Sequence, residues 1–140
     1  MFRRILVAID GSEAGFQALD TAATLAHSLN AELWGLGVEE KLPRYAATVG
    51  EVDDALHERS AYFEEVAREA IARAAARGSE LTMDVITGHA ADAIIRYAAQ
   101  YHFDLIVLGI HGYHGPRIFS LGSVVDRVSE HAGCSVLIVR

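Results

Sequence analysis

Phe103-Asp104-Leu105-Ile106-Val107-Leu108-Gly109-Ile110-His111-Gly112 is an apolar run that breaks into glycines, and after nine intervening residues comes Gly122-Ser123. A continuous apolar run fits a strand buried on both faces, as in a parallel sheet. Glycines directly after it let the backbone take positive φ and approach a ligand closely. A small hydroxyl residue then opens a helix, an arrangement that aims main-chain N–H groups at a phosphate. Gly109, Gly112, Gly115 and Gly122, with Ser123, therefore propose a nucleotide site at the mouth of a buried strand.

Working outward, five apolar runs alternate with four amphipathic stretches, the pattern of a βαβ series with a parallel sheet covered on both faces. The first run, Ile5 to Ile9, is continuous, and Asp10-Gly11-Ser12 supplies a turn and an N-cap. Leu19, Ala22, Ala23, Ala26 and Leu29 repeat at helical spacing up to Asn30, a C-terminal stop. A second strand follows over Glu32 to Val38. Glu39 to Gly50 contains Pro43 and lacks a period, so it reads as a surface loop placed to fold over a neighbouring site.

From about Glu51 to Arg77, Val52, Leu56, Phe63, Val66, Ala70, Ile71 and Ala74 trace one helical stripe, stopped by Gly78. The acids between Glu51 and Glu69 read as the solvated face of that helix. Leu81 to Ile86 predicts a third strand with Met83 and Val85 on one face, then Thr87-Gly88-His89 and a helix turning Ala93, Ile94 and Tyr97 inward. Leu105 to Leu108 forms the fourth strand. A short helix from Ser123 to about His131 directs Val124, Val125 and Val128 towards the sheet and ends at Gly133, before a last strand over Ser135 to Val139.

At 140 residues the chain is expected to form one domain, 1–140, burying about 70% of its unfolded surface. Half of its residues are hydrophobic and two are proline, which argues against disorder. No apolar stretch approaches the roughly 20 residues of a membrane span, and Met1-Phe2-Arg3-Arg4 leads straight into a strand without a leader-like segment. A cytoplasmic protein with no membrane partner is the expectation. Cys134 is the single cysteine, so an intrachain disulfide is excluded, and its place before an apolar run suggests a buried thiol. With a formal charge of −7 and Lys41 as the one lysine, the surface repels nucleic-acid phosphates.

Other chemistries fail by reading. Gly-x4-Gly-Lys-Ser/Thr is missing, and after the first strand Gly11 and Gly15 do not make a Gly-x-Gly-x-x-Gly fingerprint. A response-regulator receiver needs paired acids and a late lysine, whereas Asp10 stands alone. No Ser-His-Asp or Cys-His set presents a nucleophile. His111 and His114 have no cysteine near them to complete a zinc site, so His111 reads as a loop-bracing donor or a phosphate contact. Asp10 is open to two readings, helix cap or ligand contact, and so is Ser12.

The residues carry a resemblance. The chain resembles a universal stress protein domain of the nucleotide-binding type, whose Gly-x2-Gly-x9-Gly-Ser/Thr signature matches Gly109, Gly112, Gly122 and Ser123. Ile5 to Ser12 is similar to that family's opening strand and turn, and His131 to Val139 to its ending. The resemblance implies an open five-stranded parallel sheet of order 3-2-1-4-5, adenine nucleotide alpha-hydrolase-like, with the ligand in the crevice between the first and fourth strands. It implies that Asp10 and Ser12 lie by the ribose and phosphates and that Val38 offers backbone groups to the adenine edge, with Ala8, Ile9 and Leu108 also among the nucleotide-binding residues. Gly109, His111 and Gly112 would line the phosphate loop, with Gly122, Ser123, Val124 and Val125 at the helix N-terminus.

Three departures stand out. Ile110 occupies a position that is often small and polar, Tyr113 one that is often basic, which makes Arg117 the alternative cation, and Gly88-His89-Ala90 lacks the usual acid or amide followed by proline. That turn is expected to lie away from the crevice and to affect helix capping. The expected function is binding of ATP or AMP by a dimeric stress-response regulator, with Mg²⁺ accompanying ATP and at most slow hydrolysis. A nucleotide-free protein–protein interaction module of the same fold is the alternative. Pairing of Ser135 to Val139 with a second copy is the expected route to a homodimer.

Overall fold

The computed structural model describes residues 1–40, 49–110 and 123–140, with the backbone alone at 49–56, 59 and 123. The chain runs β1 (Arg4–Ala8), α1 (Glu13–Leu29), β2 (Glu32–Glu39), α2 (Val49–Ala76), β3 (Leu81–Thr87), α3 (Ala90–Gln100), β4 (Leu105–Gly109), α4 (Ser123–His131) and β5 (Ser135–Val139). All strand pairings are parallel, in the order β3-β2-β1-β4-β5. The strand alternation fixes two core layers, because successive side chains point to opposite faces. Ile5, Val7 and Ile9 pack under α1 and α2, whereas Leu6 joins Ile94, Tyr97, Ile106 and Val128 beneath α3 and α4.

β1 lies at the centre of the sheet, and Ile5, Leu6 and Val7 are completely buried. Its start is fastened to β4, since the N–H groups of Arg3 and Arg4 donate to the Asp104 carboxylate at 2.9 and 3.1 Å. Arg4 also lays its guanidinium 4.8 Å above the Phe103 ring. α1 has the ends that its sequence announces. The Ser12 hydroxyl accepts the Gly15 N–H, and Asn30 closes the helix in the left-handed region at φ 54°. Arg73 on α2 reaches Asp20 on α1 through two hydrogen bonds, 3.2 and 2.6 Å, tying the helices together.

Several expectations need correction. Ile71 is 45% exposed: Ala70 and Ala74 take the sheet-facing side of α2, and Ile71 lies one residue, about 100°, round the helix from Ala70. β1 ends at Ala8, although the Ile9 N–H still donates to Leu36 O at 2.9 Å. Cys134 is half-buried, and burial raises its thiol pKa. Within the expected loop over Glu39 to Gly50, Glu39 belongs to β2 and 49–50 begin α2, while 41–48 lie outside the described residues. β5 is an edge strand as expected, with Val136 to Val139 only partly buried. Among the described residues no helix is long and apolar enough to cross a membrane.

Candidate functional site

β1 and β4 are neighbours, yet α1 leaves β1 for one face of the sheet and α4 follows β4 on the other. Where the chain diverges in this way, a crevice opens beyond the strand ends. A cavity of about 530 Å³ occupies it. The strands supply Ala8, Ile9, Leu36, Val38, Leu108, Gly109 and Ile110; the turn after β1 supplies Asp10, Gly11 and Ser12. α2 contributes Tyr62 and Phe63, α3 contributes Ala90 and Ile94, and α4 contributes Val124 and Val125. Apolar walls with a few polar groups at one turn suit a flat ring that carries a polar tail.

Local chemistry explains the turn. Asp10 Oδ1 accepts both the Ser12 N–H (2.9 Å) and the Ser12 hydroxyl (2.5 Å), and Ser12 Oγ in turn accepts the Gly15 N–H (3.1 Å). Asp10 and Ser12 therefore act as a cap while also lining the cavity. Gly11 sits at φ +88°, a conformation that favours glycine. From α2, the Tyr62 hydroxyl donates to the Asp10 carbonyl at 2.5 Å. Partial burial, reinforced by the Asp10 charge, raises the phenol pKa, so it stays a donor at neutral pH. Gly109 lies so near α1 that a Cβ there would overlap the Ala14 carbonyl. Phe63 rests on Gly37 of β2 in the same way, a Cβ there falling 2.7 Å from its ring.

Of the residues expected at the crevice, Ala8, Ile9, Asp10, Ser12, Val38, Leu108, Gly109, Val124 and Val125 all line this cavity. His111, Gly112 and Gly122 lie outside the described residues, as do Gly115 and Arg117, and Ser123 is described as the first backbone residue of α4. One expectation is overturned: the turn at Gly88-His89-Ala90 does not lie away from the crevice, because Ala90 lines it. The poor capping expected there is found, with His89 at the N-cap making no side-chain hydrogen bond. Sequence reading missed Tyr62, Phe63, Ala90 and Ile94. Phe63 and Ile94 carried a core signal only, and nothing local marked Tyr62.

A parallel sheet of this order, with its cavity where the strand order reverses between β1 and β4, defines a doubly wound α/β protein. The family follows from comparison: the model of the Universal stress protein family matches residues 1–140, and the chain belongs to that family. Universal stress protein YxiE of Bacillus subtilis is 35% identical over 148 residues, covering 100% of both chains. The universal stress protein UspA from Lactobacillus plantarum superposes with a TM-score of 0.89 at 28% identity, covering 99% of this chain and 98% of that one. A universal stress protein crystallised in complex with cAMP gives a TM-score of 0.80 at 27% identity, covering 99% and 97%.

Proposed function

We propose that the cavity between β1 and β4 binds an adenine nucleotide, ATP or AMP, and that the chain works as a dimeric stress-response regulator in the cytoplasm. The observation that carries this reading is the convergence of Asp10, Ser12, Val38, Gly109, Val124 and Val125 from four separate elements on one cavity at the switch point. The cAMP complex of a similar family member supports the ligand class. Apolar side chains from α3 and the strand ends would hold the base. Main-chain N–H groups at the start of α4, with Gly112, Gly122 and Ser123 by their spacing, would hold the phosphates. Mg²⁺, where ATP is the ligand, would arrive with the phosphates.

Binding rather than turnover is the function proposed. Asp10 Oδ1 is already engaged by Ser12, which suits a structural carboxylate better than one positioning an attacking water. Isothermal titration with ATP, AMP and cyclic AMP tests the reading. At least one should bind, and Gly122→Val, which obstructs the entrance of α4, should abolish that binding while the protein still folds. No heat and no thermal shift with any of the three would instead favour the nucleotide-free interaction module.

The homodimer is proposed through β5, whose open edge and partly buried apolar residues Val136, Leu137, Ile138 and Val139 invite a second copy. Light scattering at micromolar concentration should return twice the 15.1 kDa chain mass. A monomeric mass would remove this part of the proposal.

A further inference from the structure

We infer that Tyr62 is a positioning residue of the nucleotide site, reaching from α2 to fix the peptide between Asp10 and Gly11, a role that rests on the nucleotide reading above. Its hydroxyl donates to the Asp10 carbonyl at 2.5 Å across 52 residues of sequence. Gly11, the next residue, holds φ +88°, and a Cβ there would fall 2.0 Å from the Tyr62 hydroxyl oxygen, so glycine is what leaves room for the phenol. The ring is also a cavity wall, braced edge-to-face by Phe63 at 5.3 Å between centroids. Yet Tyr62 remains 49% exposed, so apolar burial alone does not account for an aromatic ring at this place.

The effect is mechanical and electrostatic. Asp10 and Ser12 already form a closed unit through Oδ1, so their orientation relative to β1 depends on the peptide that joins Asp10 to Gly11. Glycine resists rotation of that peptide weakly. The phenol supplies the missing restraint. Its O–H also offsets the negative end of the Asp10 carbonyl, a dipole that repels an anion placed beside it. Removing the hydroxyl should therefore weaken ligands in proportion to their negative charge, which loss of packing alone would not do.

Wild-type and Tyr62→Phe proteins are titrated calorimetrically with adenosine, AMP and ATP, and their unfolding midpoints are measured without ligand. Tyr62→Phe should weaken ATP about fivefold, the value of one ordinary hydrogen bond, with a smaller loss for AMP and the smallest for adenosine. The midpoint should move by no more than about 4 °C. Unchanged affinity for every ligand, or an equal loss for all three, overturns the role of Tyr62 while leaving the nucleotide reading intact. A wild-type protein that binds none of them removes the nucleotide reading itself, and the role of Tyr62 with it. Gly11→Ala gives a second arm: its Cβ displaces the phenol, so its loss of ATP affinity should be smaller in a Tyr62→Phe background, and additive losses would overturn the coupling.

Discussion

Replacing Gly109 with alanine is expected to destabilise the protein by about 3 kcal/mol, the upper range for forcing an extra carbon into a packed interior. The added Cβ would overlap the Ala14 carbonyl, a backbone atom in the first turn of α1. Relief requires either α1 or the end of β4 to move. α1 is held against the sheet by its buried residues Phe16, Leu19 and Ala22 and by the bonds from Arg73 to Asp20, and β4 is held in register with β5, Gly109 opposite Val139. Equilibrium urea unfolding measures the loss. Gly133→Ala is the matched control, because a Cβ there meets nothing within 4 Å and should change stability by less than about 0.5 kcal/mol. A Gly109→Ala protein as stable as that control would show that the contact between α1 and β4 yields freely.

Phe63→Ala is the second large effect, expected to cost about 3–5 kcal/mol, the range for truncating a buried phenylalanine. Phe63 is 9% exposed and belongs to the core layer under α1 and α2, with Val66, Ala70 and Ala74 on the same helix. It sits directly on Gly37, where no side chain from β2 can fill the space it leaves. Tyr62 would lose its edge-to-face neighbour at the same time. Thermal unfolding should show a drop of about 10–15 °C for a chain of this size. A loss below about 1 kcal/mol would mean that α2 collapses onto Gly37 and heals the gap.

These two residues also show how far the sequence could be read. Gly109 was legible because it ends a continuous apolar run and stands at fixed spacing from Gly112, Gly122 and Ser123. Ser12 and Asn30 marked the limits of α1 because capping is local chemistry, decided within three or four residues. The strand order came from resemblance, and the sheet reproduces it.

Tyr62 was not legible, because its significance depends on α2 crossing above the β1–α1 turn, a tertiary fact with no trace in the helix's own periodicity. It lies inside an acidic stretch that reads as a solvated face. Ala90 was misplaced for a related reason. Its turn follows β3 at the sheet edge, while the helix it starts leans back over β2 and reaches the crevice. Ile71 failed differently, since hydrophobicity gives a stripe its members and only helix phase decides which of them the sheet covers.

The central place of β1 has a consequence for biosynthesis. β1 is made before both of its neighbours, and its partner β4 lies about a hundred residues downstream, as the bonds from Arg3 and Arg4 to Asp104 record. Until that segment emerges, a nascent chain carries Ile5, Leu6 and Val7 with one side of the strand unpaired. Closure of the sheet around β1 therefore waits for the synthesis of β4, and the exposed edge is open to wrong pairing until then.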